Sequence, residues 1–169
     1  MYVSPWLSIN GDDRKAIVPY FRANYFESSD RRNWSTNFSP EVDFKLMGRF
    51  SSAISLDWTH NVQDNQFFGR FTDATNALHY TIAHLDQKTT AVTARFNYTF
   101  TPDLSLQTYA QPFISKGTYS NVRQLSATPR SDNYDDRYAP YINPGVTDDP
   151  GGFNFKAFQS NVVLRWEYK

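Results

Sequence analysis

The sequence predicts an all-β fold: an antiparallel, up-and-down transmembrane β-barrel, with roughly eight strands in this chain as part of a larger barrel. Three observations lead to this prediction. Apolar and polar residues alternate with a period of two through most of the 169 residues. Several alternating segments exceed the roughly 5–6 residues usual in globular proteins and reach the roughly 9–11 residues of a membrane-spanning strand. Tight turns at some strand ends contrast with one long polar connection, as in transmembrane barrels.

Residues 90–100 and 104–114 show the alternation most clearly. In the first segment the even positions are mostly apolar, as at Val92, and the odd positions are mostly polar, as at Arg95. The Thr-Pro-Asp sequence between the segments favours a tight turn, because proline fixes the backbone angle that the second turn position needs. The two segments are therefore predicted to form a long antiparallel hairpin.

The remaining strands are assigned from the same pattern. Strong alternation covers residues 34–46, 50–59 and 158–168, and weaker alternation covers 16–26, 66–71 and 77–85. A tight turn is predicted at 45–49, and a long polar loop rich in Asp, Asn, Pro and Gly is predicted at about 116–153. Residues 1–169 are thus predicted to be a single β-barrel domain or the C-terminal fragment of one.

The composition excludes several classes of protein. Seventeen basic and seventeen acidic residues cancel, which argues against a nucleic-acid partner because such a partner requires a basic excess. Cysteine is absent, which excludes a disulfide framework, thiolate catalysis and a cysteine zinc site. No apolar run approaches the ~18 residues of a membrane helix.

The alternation leaves open which face of the sheet meets water. A soluble barrel or sandwich turns its apolar face inward, whereas a membrane barrel turns that face to lipid and lines its lumen with the polar face. Aromatic residues at strand ends and charges of both signs within strands favour the membrane arrangement. The predicted lumen-lining residues are Asp43, Lys45, Asp57, Arg95, Gln107, Gln111, Arg165 and Glu167. These side chains either fill the interior or contact a solute.

Motifs for catalysis or cofactor binding are not found, so we predict no catalytic residue, cofactor or metal site. His79 and His84 are five residues apart on a predicted strand, which places them on opposite faces. The acidic residues of the long loop offer oxygen ligands for calcium, but their spacing does not match a calcium-binding loop. A glycosidase pair among Glu41, Asp43, Asp57 and Glu167 requires carboxylates that converge within about 5–10 Å, which the strand spacing allows but does not indicate.

Several segments resemble a known family. They are 70–74 (RFTDA), 85–90 (LDQKTT), 93–102 (TARFNYTFTP), 104–113 (LSLQTYAQPF), 154–156 (NFK) and 163–168 (VLRWEY). Their order is similar to the C-terminal part of a bacterial envelope family of unknown function, whose members join a carbohydrate-binding family-9-like sandwich to an outer-membrane-type β-barrel. The resemblance spans roughly residues 41–169. It implies a bacterial outer-membrane location and brings no catalytic residues. The family's N-terminal sandwich and final strand are missing here, so we expect the chain to be a fragment.

These observations predict an outer-membrane β-barrel module that acts as a membrane anchor or pore for a carbohydrate-related envelope protein. Its expected partners are outer-membrane lipid and, through the missing N-terminal domain, carbohydrate. No catalysis is expected in this segment. The alternative is a soluble β-barrel or sandwich that binds a small ligand or glycan.

Overall fold

Antiparallel strands make up most of the protein. The computed structural model describes residues 1–46, 48–73 and 75–168. The strands are β1 Tyr2–Val3, β2 Trp6–Asn10, β3 Ile17–Ser28, β4 Trp34–Leu46, β5 Phe50–Thr72, β6 Leu78–Thr101, β7 Leu104–Leu125, β8 Tyr138–Pro140 and β9 Gly152–Trp166. Asp135–Arg137 form a 3-10 turn, and Pro144–Thr147 form a short helix, α1. No helix within the described ranges is long and apolar enough to cross a membrane. The predicted all-β, antiparallel fold is confirmed.

The nine strands form one sheet. Its centre runs β3-β4-β5-β6-β7, so that each of these strands pairs with the next one in the chain. The short strands β1 and β2 both pair with β3, one beyond the other along its free edge. Strands β8 and β9 pair with β7 in the same way at the opposite edge. The predicted hairpin of residues 90–114 is the junction of β6 and β7, where Thr99 pairs with Ser105.

Several of the predicted boundaries differ from the observed ones. Segments 77–85 and 90–100, predicted as two strands, are a single strand, β6. Segments 50–59 and 66–71 are a single strand, β5, which continues through register shifts between Gln63 and Gln66 and between Phe67 and Gly69. The loop predicted at about 116–153 is also shorter, because β7 continues to Leu125 and pairs with β9 as far as Gly152. Glycine and polar residues hide the alternation there. The predicted turn at 45–49 includes Met47, which lies outside the described residues.

The ladder divides the sheet into two chemically different faces, because cross-strand partners share a face and successive residues alternate. What we call the polar face carries Asn37, Ser39, Asp43, Lys45, Ser51, Asp57, Thr93, Arg95, Asn97, Gln107, Tyr109, Gln111 and Arg165. What we call the apolar face carries Phe38, Val42, Phe44, Leu46, Phe50, Ile54, Leu56, Trp58, Val92, Phe96, Tyr98, Phe100, Leu104, Leu106, Ile114, Phe158, Val162, Leu164 and Trp166.

Buried apolar residues are few and lie near the end of the sheet opposite the β6–β7 turn. Ala83, Val122 and Tyr141 form the buried cluster, against which Phe68, Phe71 and Tyr119 pack. Large side chains of the apolar face stay exposed instead. On β9 the exposed fractions are 67% for Phe158, 64% for Leu164 and 70% for Trp166. The chain therefore leaves its longest apolar surface uncovered, which is unusual for a monomer in water.

Candidate functional site

The polar face brings the residues predicted to line a lumen onto one surface. Rows of cross-strand partners show their order. One row runs Asp43, Ala53, Arg95, Tyr109 and Asn161 from β4 to β9, and the next runs Lys45, Ser51, Asn97, Gln107 and Val163. In the first row the opposite charges of Asp43 and Arg95 thus lie two strands apart with Ala53 between them, and the second row carries the single charge of Lys45. The surface is polar without a single dominant sign of charge.

Side chains on β4 and β5 hydrogen-bond to one another across the polar face. The Ser39 hydroxyl donates to the Asp57 carboxylate over 2.6 Å and also contacts the Asn37 amide oxygen at 2.9 Å. The Asn37 amide nitrogen donates to the Thr59 hydroxyl over 3.0 Å. Asp57 itself is exposed, so its charge remains available to solvent or solute.

A second group of contacts joins β6 to β7. The Gln111 amide nitrogen donates to the Thr93 hydroxyl over 3.1 Å, and the Tyr109 hydroxyl donates to the Gln111 amide oxygen over 2.8 Å. The Arg95 guanidinium lies 5.6 Å from the centre of the Tyr109 ring, a cation–π contact. Arg95, Gln107 and Tyr109 also border a shallow depression of about 160 Å³ on this face.

The remaining predicted residues lie near the end of the sheet that carries the β6–β7 turn. The Lys45 ammonium donates to the backbone carbonyl of Asp13 over 2.8 Å. Arg165 contacts Glu167, which follows the last residue of β9, and both side chains are exposed. Strands β6 and β7 separate Glu167 from Asp43 on β4 and Asp57 on β5, so Glu167 does not converge with either of them as a glycosidase pair requires.

A cluster not anticipated from the sequence surrounds Asp64, at the first bulge of β5. Its carboxylate contacts Arg123 Nη2 at 3.0 Å and His84 Nδ1 at 3.0 Å, and it accepts the Tyr134 hydroxyl over 3.0 Å. Arg32, in the turn before β4, lies 3.9 Å away and stacks over the Tyr134 ring at 4.3 Å. The Asp64 and Arg123 side chains are each only 12% exposed.

The electrostatic balance of this cluster keeps Asp64 ionised. Burial acts to raise the pKa of the Asp64 carboxyl, but the hydrogen bond from His84 and the charge of Arg123 outweigh it, and the pKa lies below its ordinary value. Burial is the largest cause, and the charge of Asp64 the next, of a raised pKa of the Tyr134 phenol. Tyr134 is therefore a neutral donor to an ionised acceptor. The cluster fastens the connection between β7 and β8 to β5.

No sequence pattern identified these residues, because they come from five separate segments. The one available signal was the interruption of the alternation near residue 64, which a bulge causes. His79 and His84 lie on opposite faces, as predicted. His79, which pairs with Phe71, is on the same face of β6 as Ala83, and His84, which pairs with Ser120, is on the other face. Within the described ranges, no three His, Asp or Glu side chains are arranged to hold a metal ion.

The fold and this surface define a class: a single open antiparallel sheet with an exposed apolar face and a hydrogen-bonded polar face. The chain belongs to the family described as a domain of unknown function (DUF5916), whose sequence model matches residues 1–169. Membership of a family of unknown function is thereby confirmed, while the carbohydrate-binding domain and the outer-membrane barrel stay predictions. No curated protein and no solved structure matches the chain.

Proposed function

We propose that this chain forms part of the wall of an outer-membrane β-barrel, which acts as a membrane anchor or pore for a carbohydrate-related envelope protein. In this arrangement the apolar face meets lipid and the polar face lines a hydrated lumen. The observation that carries the proposal is the contrast between the two faces. The apolar side chains are exposed where a soluble sheet would cover them, and the polar side chains hydrogen-bond to one another across the strands.

The height of the apolar surface fits a bilayer. On β6 the apolar face runs from Phe100 to Thr90 and then becomes polar at Lys88. Ten residue steps in an extended strand span about 33 Å, and a tilt of about 45° reduces this to about 23 Å, close to the roughly 25 Å of an outer-membrane barrel. We call this surface, between the β6–β7 turn and the level of Thr90, the apolar band. Strands β5, β6 and β7 continue well beyond it.

The edges of the sheet support a larger assembly. In the described residues, β9 pairs along one side only, with β7, although it extends from Gly152 to Trp166. A long, apolar, unpaired edge is a template for further pairing, and barrels remove such edges by closing. Additional strands between β9 and the β1–β2 edge would complete a closed wall. Carbohydrate enters the proposal only through a further domain.

The test is the folding of the purified chain with and without detergent or lipid, followed by gel electrophoresis of boiled and unboiled samples. Folded membrane barrels resist denaturation in cold detergent and shift in mobility on boiling. We expect a heat-shifted band only when detergent or lipid is present during folding. A folded, monodisperse species in plain buffer would overturn the proposal and support the soluble, ligand-binding alternative.

A further inference from the structure

Three lysines lie together where the apolar band ends. Lys88 of β6 pairs directly with Lys116 of β7, on the same face as Ile114. Lys156 of β9 pairs with Ile114, two residues before Lys116, so it is diagonal to Lys116 on that face. All three side chains are exposed. We call Lys88, Lys116 and Lys156 the lysine cluster.

The cluster places like charges side by side. Directly opposed residues in an antiparallel pair have their Cβ atoms about 4.5–5.5 Å apart, and like charges at that separation destabilise the pair. In the part of the chain described, no carboxylate lies within 4.0 Å of any of the three ammonium groups. The nearest acid along β6, Asp86, is bound by His60 at 2.8 Å. The lysines therefore lack an anion to offset their repulsion.

A groove beside the cluster offers room for such an anion. Its volume is about 440 Å³, and it is lined by His84, Asp86, Lys88, Lys116, Thr118 and Ser120. Ammonium groups and hydroxyls are the donors that bind phosphate oxygens. Immediately toward the band lie the exposed side chains of Ile114 and Phe158, 47% and 67% exposed. A ligand that fits this surface carries a phosphate next to an apolar chain.

We propose that the lysine cluster binds the phosphate groups of anionic membrane lipids. This inference rests on the proposed function, because it places the lysines at the level where headgroups meet the apolar band. Lysine suits the position, since its methylene stem packs along apolar surface while its ammonium reaches the polar interface. A basic residue near an anionic lipid surface strengthens attraction to that surface by a factor of about five.

The test compares insertion of the full chain into vesicles of phosphatidylcholine alone and into vesicles that also contain phosphatidylglycerol. The heat-shifted gel band measures the inserted fraction as lipid concentration is raised. Wild type should reach half-insertion at a lower concentration of the phosphatidylglycerol vesicles. The triple variant K88Q/K116Q/K156Q should lose at least about tenfold of that preference, given about fivefold per lysine before screening by salt.

A matched control removes the same charge elsewhere. Arg31, Arg70 and Arg130 are exposed and lie outside the apolar band, so R31Q/R70Q/R130Q should keep the preference of wild type. If both triple variants lose the preference equally, only net charge matters and the proposal is wrong. Insertion of both triple variants into phosphatidylcholine also shows that each still folds.

Two further outcomes separate the sources of phosphate and the two proposals. If inorganic phosphate abolishes the preference beyond the effect of sodium chloride at equal ionic strength, the cluster binds free phosphate and the lipid assignment is wrong. If wild type inserts equally well into both vesicles, the lysine cluster has no lipid role while the barrel proposal stands. If wild type inserts into neither, both proposals fail.

Discussion

The Asp64 carboxylate and the Arg123 guanidinium meet at 3.0 Å, although 59 residues separate them in the sequence. Arg123 also donates to the backbone carbonyl of Asp64. The pair ties the bulge of β5 to the end of β7, and Tyr134 adds the connection between β7 and β8 to the same carboxylate. One side chain thus holds three segments in place at the end of the sheet opposite the β6–β7 turn.

Asp64→Ala should loosen this end of the sheet. The change removes charge-assisted hydrogen bonds from a poorly exposed guanidinium and should lower the free energy of unfolding by about 2 kcal/mol. It should also speed tryptic cleavage after Arg130, which lies in the connection that Tyr134 fastens. The denaturation midpoint and the cleavage rate measure the two effects. Asp86→Ala is the control, because Asp86 is 48% exposed and contacts only His60 among the ion pairs described. Equal effects from both variants would contradict a specific role for Asp64.

Gly152→Ala should disrupt the start of β9. A Cβ atom at this position would overlap the backbone carbonyl oxygen of Gly117, across the β7–β9 ladder. Backbone is in the way, so the strands must separate, and we expect a loss of about 2 kcal/mol in unfolding free energy. Gly145→Ala is the control, since a Cβ there meets nothing closer than 4.0 Å. Chemical denaturation compares the two variants, and a Gly152→Ala protein as stable as Gly145→Ala would contradict the observed pairing.

How far the sequence predicts this structure depends on where one looks along each strand. Within residues 50–59 and 90–100 one face is apolar and the other polar, so the alternation identifies strands and faces together. Just beyond Trp58 and Thr90 polar residues occupy both faces, as at His60 and Asn61, and the alternation is interrupted although the strand continues. The predicted ends of β5, β6 and β7 therefore mark the ends of the apolar band and not those of the strands.

The alternation of apolar and polar residues could not predict the short strands or the Asp64 cluster, for different reasons. β1 and β8 have two and three residues, too few for an alternation with a period of two to be recognised. The cluster depends on contacts between Arg32, Asp64 and Arg123 that only the paired sheet creates. Candidate polar-face residues such as Arg95 were identifiable because they lie within the alternating segments. Long-range ion pairs leave no periodic signal.

The Asp73–His79 contact should make the end of the β5–β6 hairpin sensitive to pH. The hydrogen bond with Asp73 is the largest cause, and the hydrogen bond with Gln124 the next, of a raised pKa of His79. The stabilisation from His79 is therefore full below its unfolded pKa near 6.5 and is lost as the pH rises through the folded pKa. The hydrogen bond from Thr75 is the largest cause, and the one from His79 the next, of a lowered pKa of Asp73. The stabilisation from Asp73 is therefore present above about pH 4 and is lost in acid.

Amide hydrogen exchange near residue 77 is the measurement for this hairpin. After correction for the intrinsic pH dependence of exchange, protection should be greatest between about pH 4 and 6.5 and should fall on either side. His79→Gln should flatten the profile on its high-pH side. His60→Gln, which lies outside this hairpin, should leave the profile as in wild type. A wild-type profile without the decline above pH 6.5 would contradict a stabilising role for the charged pair.

Arg95→Glu should change the properties of the polar face without preventing insertion. The side chain is exposed on that face, and its replacement stays in the hydrated interior of the proposed barrel. We expect insertion into vesicles as in wild type and, if the assembled barrel conducts, a shift in ion selectivity toward cations in planar bilayers. Arg70→Glu, beyond the apolar band on β5, should shift selectivity less. Loss of insertion by Arg95→Glu would place Arg95 against lipid and contradict the assigned face.

Leu164→Arg and Val163→Arg should have opposite outcomes, although the two residues are neighbours on β9. Leu164 pairs with Leu106 on the apolar face, and Val163 pairs with Gln107 on the polar face. Arginine on a lipid-facing position costs about 2–4 kcal/mol near the midplane of the bilayer, whereas on a lumen-facing position it meets water. Leu164 lies at the level of Tyr98, between the midplane and the edge of the apolar band. The free energy of folding into phosphatidylcholine vesicles, from reversible denaturant titration, should therefore fall by about 1–2 kcal/mol for Leu164→Arg and by less than about 1 kcal/mol for Val163→Arg. Because the two substitutions add the same charge one residue apart, equal losses would show that the two faces do not meet lipid and water as proposed.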